Sequence, residues 1–134
     1  MRAKTALFTM AGIYIGQWLL ATAFDIYAVI PWFDNIMHLA GGFATGMLGV
    51  AIHHNITNEA HRVESPYWYH ILFVVGFVAL VAVAWEFHEY LIDNTIGLWY
   101  HWPKYQLSLA DTMSDLALGG LGGLLAAYVF KRDW

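Results

Sequence analysis

The chain has 134 residues, the size of one domain, and its 60% hydrophobic against 12% charged content is too apolar and too charge-poor for an ordinary soluble domain. A formal charge of -4 offers no basic surface for nucleic acid, and zero cysteines exclude disulfides, thiolate metal sites and a cysteine nucleophile. With no Gly-rich phosphate loop, zinc-finger spacing or GxSxG elbow, most soluble enzyme classes drop out and a membrane protein remains.

Uncharged, mostly apolar stretches over 6–24, 39–52, 71–85 and 116–130 predict an all-α, four-helix transmembrane bundle. Its helices are expected over residues 5–30, 34–53, 67–92 and 108–130 of a single integral membrane domain, 1–134. The first span follows the basic start Met1-Arg2-Ala3-Lys4 and contains Ala21-Thr22-Ala23, features of a signal peptide, but is read as retained. Pro31 and the stretches 55–66 and 94–103 mark turns short enough for antiparallel up-down topology. With a cytoplasmic N-terminus, Arg2, Lys4, Arg62, Lys131 and Arg132 lie inside and only Lys104 outside. The positive-inside rule therefore puts both termini in the cytoplasm and the protein in the cytoplasmic membrane. Asp25, Asp34, Glu86, Glu89, Asp93, Asp111 and Asp115 then fall on the outer side, seven of the ten acids against one lysine.

The last three apolar runs are only 14 or 15 residues long. At about 1.5 Å per residue they cover roughly 22 Å of a hydrocarbon core about 30 Å thick, so the acidic ends must supply the remainder. An ionisable group at the centre of a span costs roughly 2.5–3.5 kcal/mol, which directs such groups into the bundle interior and toward partners. One lysine cannot pair with seven carboxylates.

Helical spacing sorts these acids into stripes. Asp34 and His38 are four apart on the second span, Asp111 and Asp115 four apart on the fourth, and Glu86, Glu89 and Asp93 share an arc of about 60° on the third. Continued by fours, the first two rows reach Gly42 and Gly46, and Gly119, Gly123 and Ala127. Small residues at this interval let membrane helices approach closely, so the second and fourth spans are expected to touch through glycine and spread outward around a polar pocket. The two rows also align with an offset of 77, sharing Asp, Leu, Ala and Gly positions as duplicated hairpins would.

Capping explains part of the pattern. Ser108 and Asp111 form a capping box, and Asp34 lies in a first helical turn, where the helix dipole favours an acid. Neither effect accounts for Asp115 or His38 one turn deeper, or for acids at the C-terminal end of the third span. His88 points about 160° from Glu86 and is assigned to the interface. His53, His54, His61 and His70 are placed at the inner interface, Asp25 and Asp93 in either the pocket or the headgroup zone, and Trp32, Trp99, Tyr100 and Trp102 in an outer aromatic belt or a lid.

Shared protons, a water-filled vestibule or a bound cation would each stabilise such a cluster. Asp34, Glu86, Glu89, Asp111 and Asp115 with His38 make a hard, oxygen-rich set suited to a divalent metal ion, whose identity is left open among Mg, Mn, Ca, Zn and Fe. The paired Glu-x-x-His signature of diiron bundles is absent, since Glu89 stands where the histidine would follow Glu86.

The segments Asp34-Asn-Ile-Met-His38-Leu-Ala-Gly-Gly, Trp85-Glu86-Phe-His-Glu89-Tyr90 and Asp111-Thr112-Met-Ser-Asp115-Leu together resemble the small bacterial integral membrane proteins of the YjdF-like family. Their order is more distantly similar to the VanZ-like proteins associated with glycopeptide resistance. Those carry Asp-Lys before the histidine, Glu-x-x-Gln on the third span and an arginine before the last aspartate, where this chain has Asn35, Glu89 and no arginine. The resemblance covers the second to fourth spans and implies a bacterial membrane protein with an extracytoplasmic acidic site, without naming a substrate.

The leading expectation is metal-dependent hydrolysis or modification of a lipid-linked or cell-envelope substrate at the outer face. The alternative is a non-catalytic accessory or structural subunit of a larger membrane complex, or a homo-oligomer, in which the small-residue faces are packing surfaces. A cation or proton pathway ranks last, because below Asp115 and His38 only Thr45 continues the polar lining.

Overall fold

The computed structural model describes residues 3–59, 66–101 and 104–131, and the regular structure of these residues is entirely helical. In chain order the helices are α1 (Ala3–Phe24), α2 (Ile26–Val29), α3 (Phe33–Glu59), α4 (Tyr67–Asn94), α5 (Ile96–Tyr100) and α6 (Leu109–Val129). Four stretches are long and apolar enough to cross a bilayer: Ala3–Phe24, Phe33–Thr57, Tyr67–Tyr100 and Leu109–Val129. The shortest of the four helices, α6, has 21 residues, which at about 1.5 Å per residue spans a hydrocarbon core about 30 Å thick. The apolar runs alone fall short of that, because each of the last three helices continues into its acidic residues.

Two helix ends depart from the sequence expectation. The first span breaks at Asp25, which adopts φ 47 and ψ 46, a left-handed conformation that Asp tolerates better than most residues. Residues 26–29 therefore form a separate short turn of helix. The second span runs on to Glu59, six residues beyond the expected end at residue 53. Nothing breaks the helix there, and the Thr57 hydroxyl folds back to donate to the His53 carbonyl at 3.0 Å.

The centre of the bundle is a close, same-direction contact between α3 and α6. A Cβ on Gly42 would strike the Gly119 carbonyl oxygen and lie 2.7 Å from Gly119 C and Cα. One turn on, a Cβ on Gly46 would lie 2.7 Å from the Ala126 Cβ and 3.0 Å from Gly123 Cα. Residues 42 and 119, like 46 and 123, differ by 77, so positions matched by the internal repeat face each other across the contact. Gly122, which the rows by fours leave out, is pressed between Leu39 and Phe43, its would-be Cβ lying 2.6 Å from the Phe43 nitrogen. Gly119 itself is less crowded, with the Ala82 Cβ at 3.6 Å.

Helix α4 covers the α3–α6 pair from one side, and Val78 of α4 seats against Gly123. Val50, Val74, Val78 and Ala127 form the core there, with Ala6, Met47 and Ala126 beside them. Among the described residues α1 packs on α3 but not on α6, whereas α4 touches both.

At the end of the bundle remote from the acids, the histidines depart from their expected interfacial position. His53 and His70 are buried, 2% and 9% exposed, with His70 Nδ1 3.3 Å from His53 Nε2. Packing between α3 and α4 closes over them, and Phe73 and Tyr69 rings stand edge-on to His53. His54 is half-buried, and His61 lies outside the described residues.

Candidate metal centre

Three helix ends bring the site together: the first two turns of α3 and α6 and the last third of α4. His38 is at its centre. One ligand atom from each of Asp34, His38 and Asp115 lies within 4.8 Å of the others, and the same holds for His38, Glu86 and Glu89. The two triads therefore share one imidazole, with the α3–α6 acids forming one lobe and the α4 acids the other.

His38 Nε2 is 3.6 Å from Asp34 Oδ2 and 3.8 Å from Asp115 Oδ1, beyond hydrogen-bond length. Asp115 is 3% exposed and Glu86 7%. Asp115 Oδ1 and Glu86 Oε1 are buried and have no hydrogen-bond partner among the described residues. Buried acceptors are nearly always satisfied, and a carboxylate oxygen without a donor carries a full desolvation penalty. Here two such oxygens belong to the two lobes on either side of one histidine.

The donor set suits an oxygen-liking divalent cation. Carboxylate oxygens with one imidazole are ligand types that Mg, Mn and Ca accept, and each triad keeps one ligand atom per residue close enough to share an ion. A neutral imidazole has one lone pair to give, so His38 can serve one lobe at a time. Acids alone would hold an ion in the other.

Asp111 stays outside both triads. Its backbone N–H donates to Ser108 Oγ at 3.1 Å and its carboxylate receives the Leu107 N–H at 3.4 Å, so it caps the start of α6 by way of the residue before Ser108 rather than through the full capping box expected. Asp25 is exposed and takes no part. Asp93 is buried, and its two oxygens accept the backbone N–H groups of Tyr105 and Gln106, each at 2.9 Å. It holds the α5–α6 connection against α4. His88 is exposed and stacks on Trp85, as an interfacial side chain would.

Three residues at the site have no counterpart in the acidic rows. Trp85 donates through Nε1 to Glu89 Oε1 at 2.8 Å, a pairing that its position four before Glu89 made legible. Gln106 donates through Nε2 to both the Glu86 carbonyl and Glu86 Oε2, at 3.1 Å each, from a loop with no helical period to betray it. Tyr27, on α2, lies near Gln17, Asp34 and Glu89. Burial, helped by Asp34, pushes its phenol up to about 12, so it is a neutral hydroxyl at physiological pH. Trp32, Trp99 and Tyr100 are all exposed, and Trp102 lies outside the described residues.

Fold and site together define a four-span membrane protein with a cluster of acids around one histidine. The chain belongs to the family described as Predicted membrane protein (DUF2238), which matches residues 3–133 and agrees with the YjdF-like resemblance of the last three spans while also taking in the first. No curated protein and no solved structure matches it.

Proposed function

We propose that the protein binds divalent metal through Asp34, His38, Glu86, Glu89 and Asp115 and uses it to hydrolyse or modify a lipid-linked or cell-envelope substrate at the extracytoplasmic face. The observation that carries the reading is the pair of buried carboxylate oxygens without a hydrogen-bond partner, Asp115 Oδ1 and Glu86 Oε1. Inside a span such oxygens call for a proton or a compensating cation, and His38, at 3.6 and 3.8 Å from the α3 and α6 acids, supplies at most one positive charge. The outer location rests on the excess of Lys and Arg at the other end of the helices.

A bound divalent cation would supply Lewis acidity toward a phosphoryl or carbonyl oxygen and a lowered water pKa. The chain's own residues then divide the work. Buried Asp115 and Glu86 would hold the ion from within the bundle, while Asp34, whose side chain at 31% is the more exposed partner of His38, would complete the set from the side open to water. Trp85 fixes Glu89 by the bond to Oε1.

Elemental analysis of the detergent-purified chain after incubation with Mg, Mn, Ca, Zn or Fe is the test, with Asp115→Asn and Glu86→Gln as controls. Near-stoichiometric metal that is lost in both variants is expected. A folded wild-type protein that retains none of the five metals overturns the reading.

A further inference from the structure

We propose that Gln106 is a positioning residue for the metal centre, held in place by Asp93, and that it selects Glu86 Oε1 as the only oxygen of that carboxylate offered to a ligand. The inference deepens the metal reading above and rests on it for its function, though not for its geometry.

The chain of contacts runs from α4 to the loop and back. Asp93 accepts the backbone N–H groups of both Tyr105 and Gln106, at 2.9 Å each, which clamps two consecutive peptide units of the α5–α6 connection against α4. Charge-assisted bonds of this kind to backbone N–H are among the stronger ones available to a carboxylate. So held, Gln106 turns its amide onto Glu86, seven residues before Asp93 on α4. Its Nε2 donates to the Glu86 carbonyl and to Oε2, both at 3.1 Å.

The consequence for Glu86 is asymmetric. Oε2 has a donor and Oε1, on the same carboxylate, is buried without one. An otherwise free glutamate can rotate about its last torsion and present either oxygen or both. Bonded on one side to an amide that is itself anchored at its backbone, this one keeps Oε2 on Gln106 and leaves Oε1 without a donor, in a residue grouped with His38 and Glu89. Gln106 donates without bringing a charge, so it orients the carboxylate while leaving its negative charge for a cation. Asp93 acts through Gln106 and belongs to neither triad.

Partners that orient a metal ligand are typically worth about 10- to 100-fold in metal affinity when removed. The test uses Mn as the probe, bound to the full chain in detergent and followed by electron paramagnetic resonance, in wild type, Gln106→Ala and Gln106→Met. The methionine variant keeps the side-chain volume should the alanine variant fold poorly. Affinity is expected to fall by about 10- to 100-fold in either variant. Wild-type affinity in Gln106→Met overturns the proposal.

Infrared spectroscopy of the metal-free chain gives a second readout. The Glu86 carboxyl band, assigned by its loss in Glu86→Gln, should shift in Gln106→Met, and an unmoved band overturns the positioning role. A wild-type chain that binds no Mn but shows the shift leaves Gln106 positioning Glu86 while removing Mn binding from the metal reading.

Discussion

The contact between α3 and α6 makes opposite forecasts for two glycines that touch each other. In Gly42→Ala the new methyl would run into the Gly119 carbonyl, with Gly119 C and Cα at 2.7 Å. Carbon atoms in contact sit about 3.5–4.0 Å apart, so the two backbones must separate by roughly 1 Å, and neither is the flexible end of a side chain. Overpacking on this scale costs about 1–3 kcal/mol, and the cost here belongs at the upper end because the relief has to come from moving helices. In Gly119→Ala the methyl meets the Ala82 Cβ at 3.6 Å and the His38 carbonyl oxygen at 4.0 Å, both ordinary contacts. Since glycine inside a helix is roughly 0.5–1 kcal/mol less favourable than alanine, this variant should match or modestly exceed wild-type stability. Reversible unfolding by SDS in mixed micelles, followed by circular dichroism, measures both. Gly42→Ala should also lose metal, because prising α3 from α6 widens the gap between His38 and Asp115. Equal stability of the two variants would refute the close approach, and with it the argument that glycine draws these helices together below the acids.

Two further outcomes follow from buried groups outside the acidic cluster. His53→Ala removes a side chain only 2% exposed together with its bond to His70, and should cost on the order of 2 kcal/mol, as large-to-small core changes do, in the same unfolding assay. The exposed His88→Ala should change stability by less than about 0.5 kcal/mol, and equal losses would contradict the burial difference. Tyr27 should ionise near pH 12, against a normal value of 10.0. Its folded pKa is raised, so the stability it contributes is complete below pH 10.0 and is lost as pH rises through about 12. The tyrosinate absorbance difference between wild type and Tyr27→Phe checks this, and a midpoint near 10.0 contradicts the buried phenol.

The sequence by itself determined what helical periodicity can carry. Four spans, the acid rows on three of them and the glycine rows below two follow from spacing along single helices, which is local information. Even the offset of 77 was legible, and it became a physical contact when Gly42 met Gly119 and Gly46 met Gly123. The duties of individual acids were another matter. Asp111 and Asp115 stand one turn apart on the same stripe, yet one is taken by the α6 cap and the other points inward at His38. Asp93 shares an arc with Glu86 and Glu89 but meets a loop that returns from the far side of α5. Only tertiary structure decides such cases, because a carboxylate's role depends on which donors arrive from other segments. Gln106 arrives from a loop without a period, and Gly122 falls off the rows by fours because two crossing helices touch along more than one line of residues. His53 and His70 went inside for the same reason: the edge of a span in sequence became its interior once α3 and α4 packed across it.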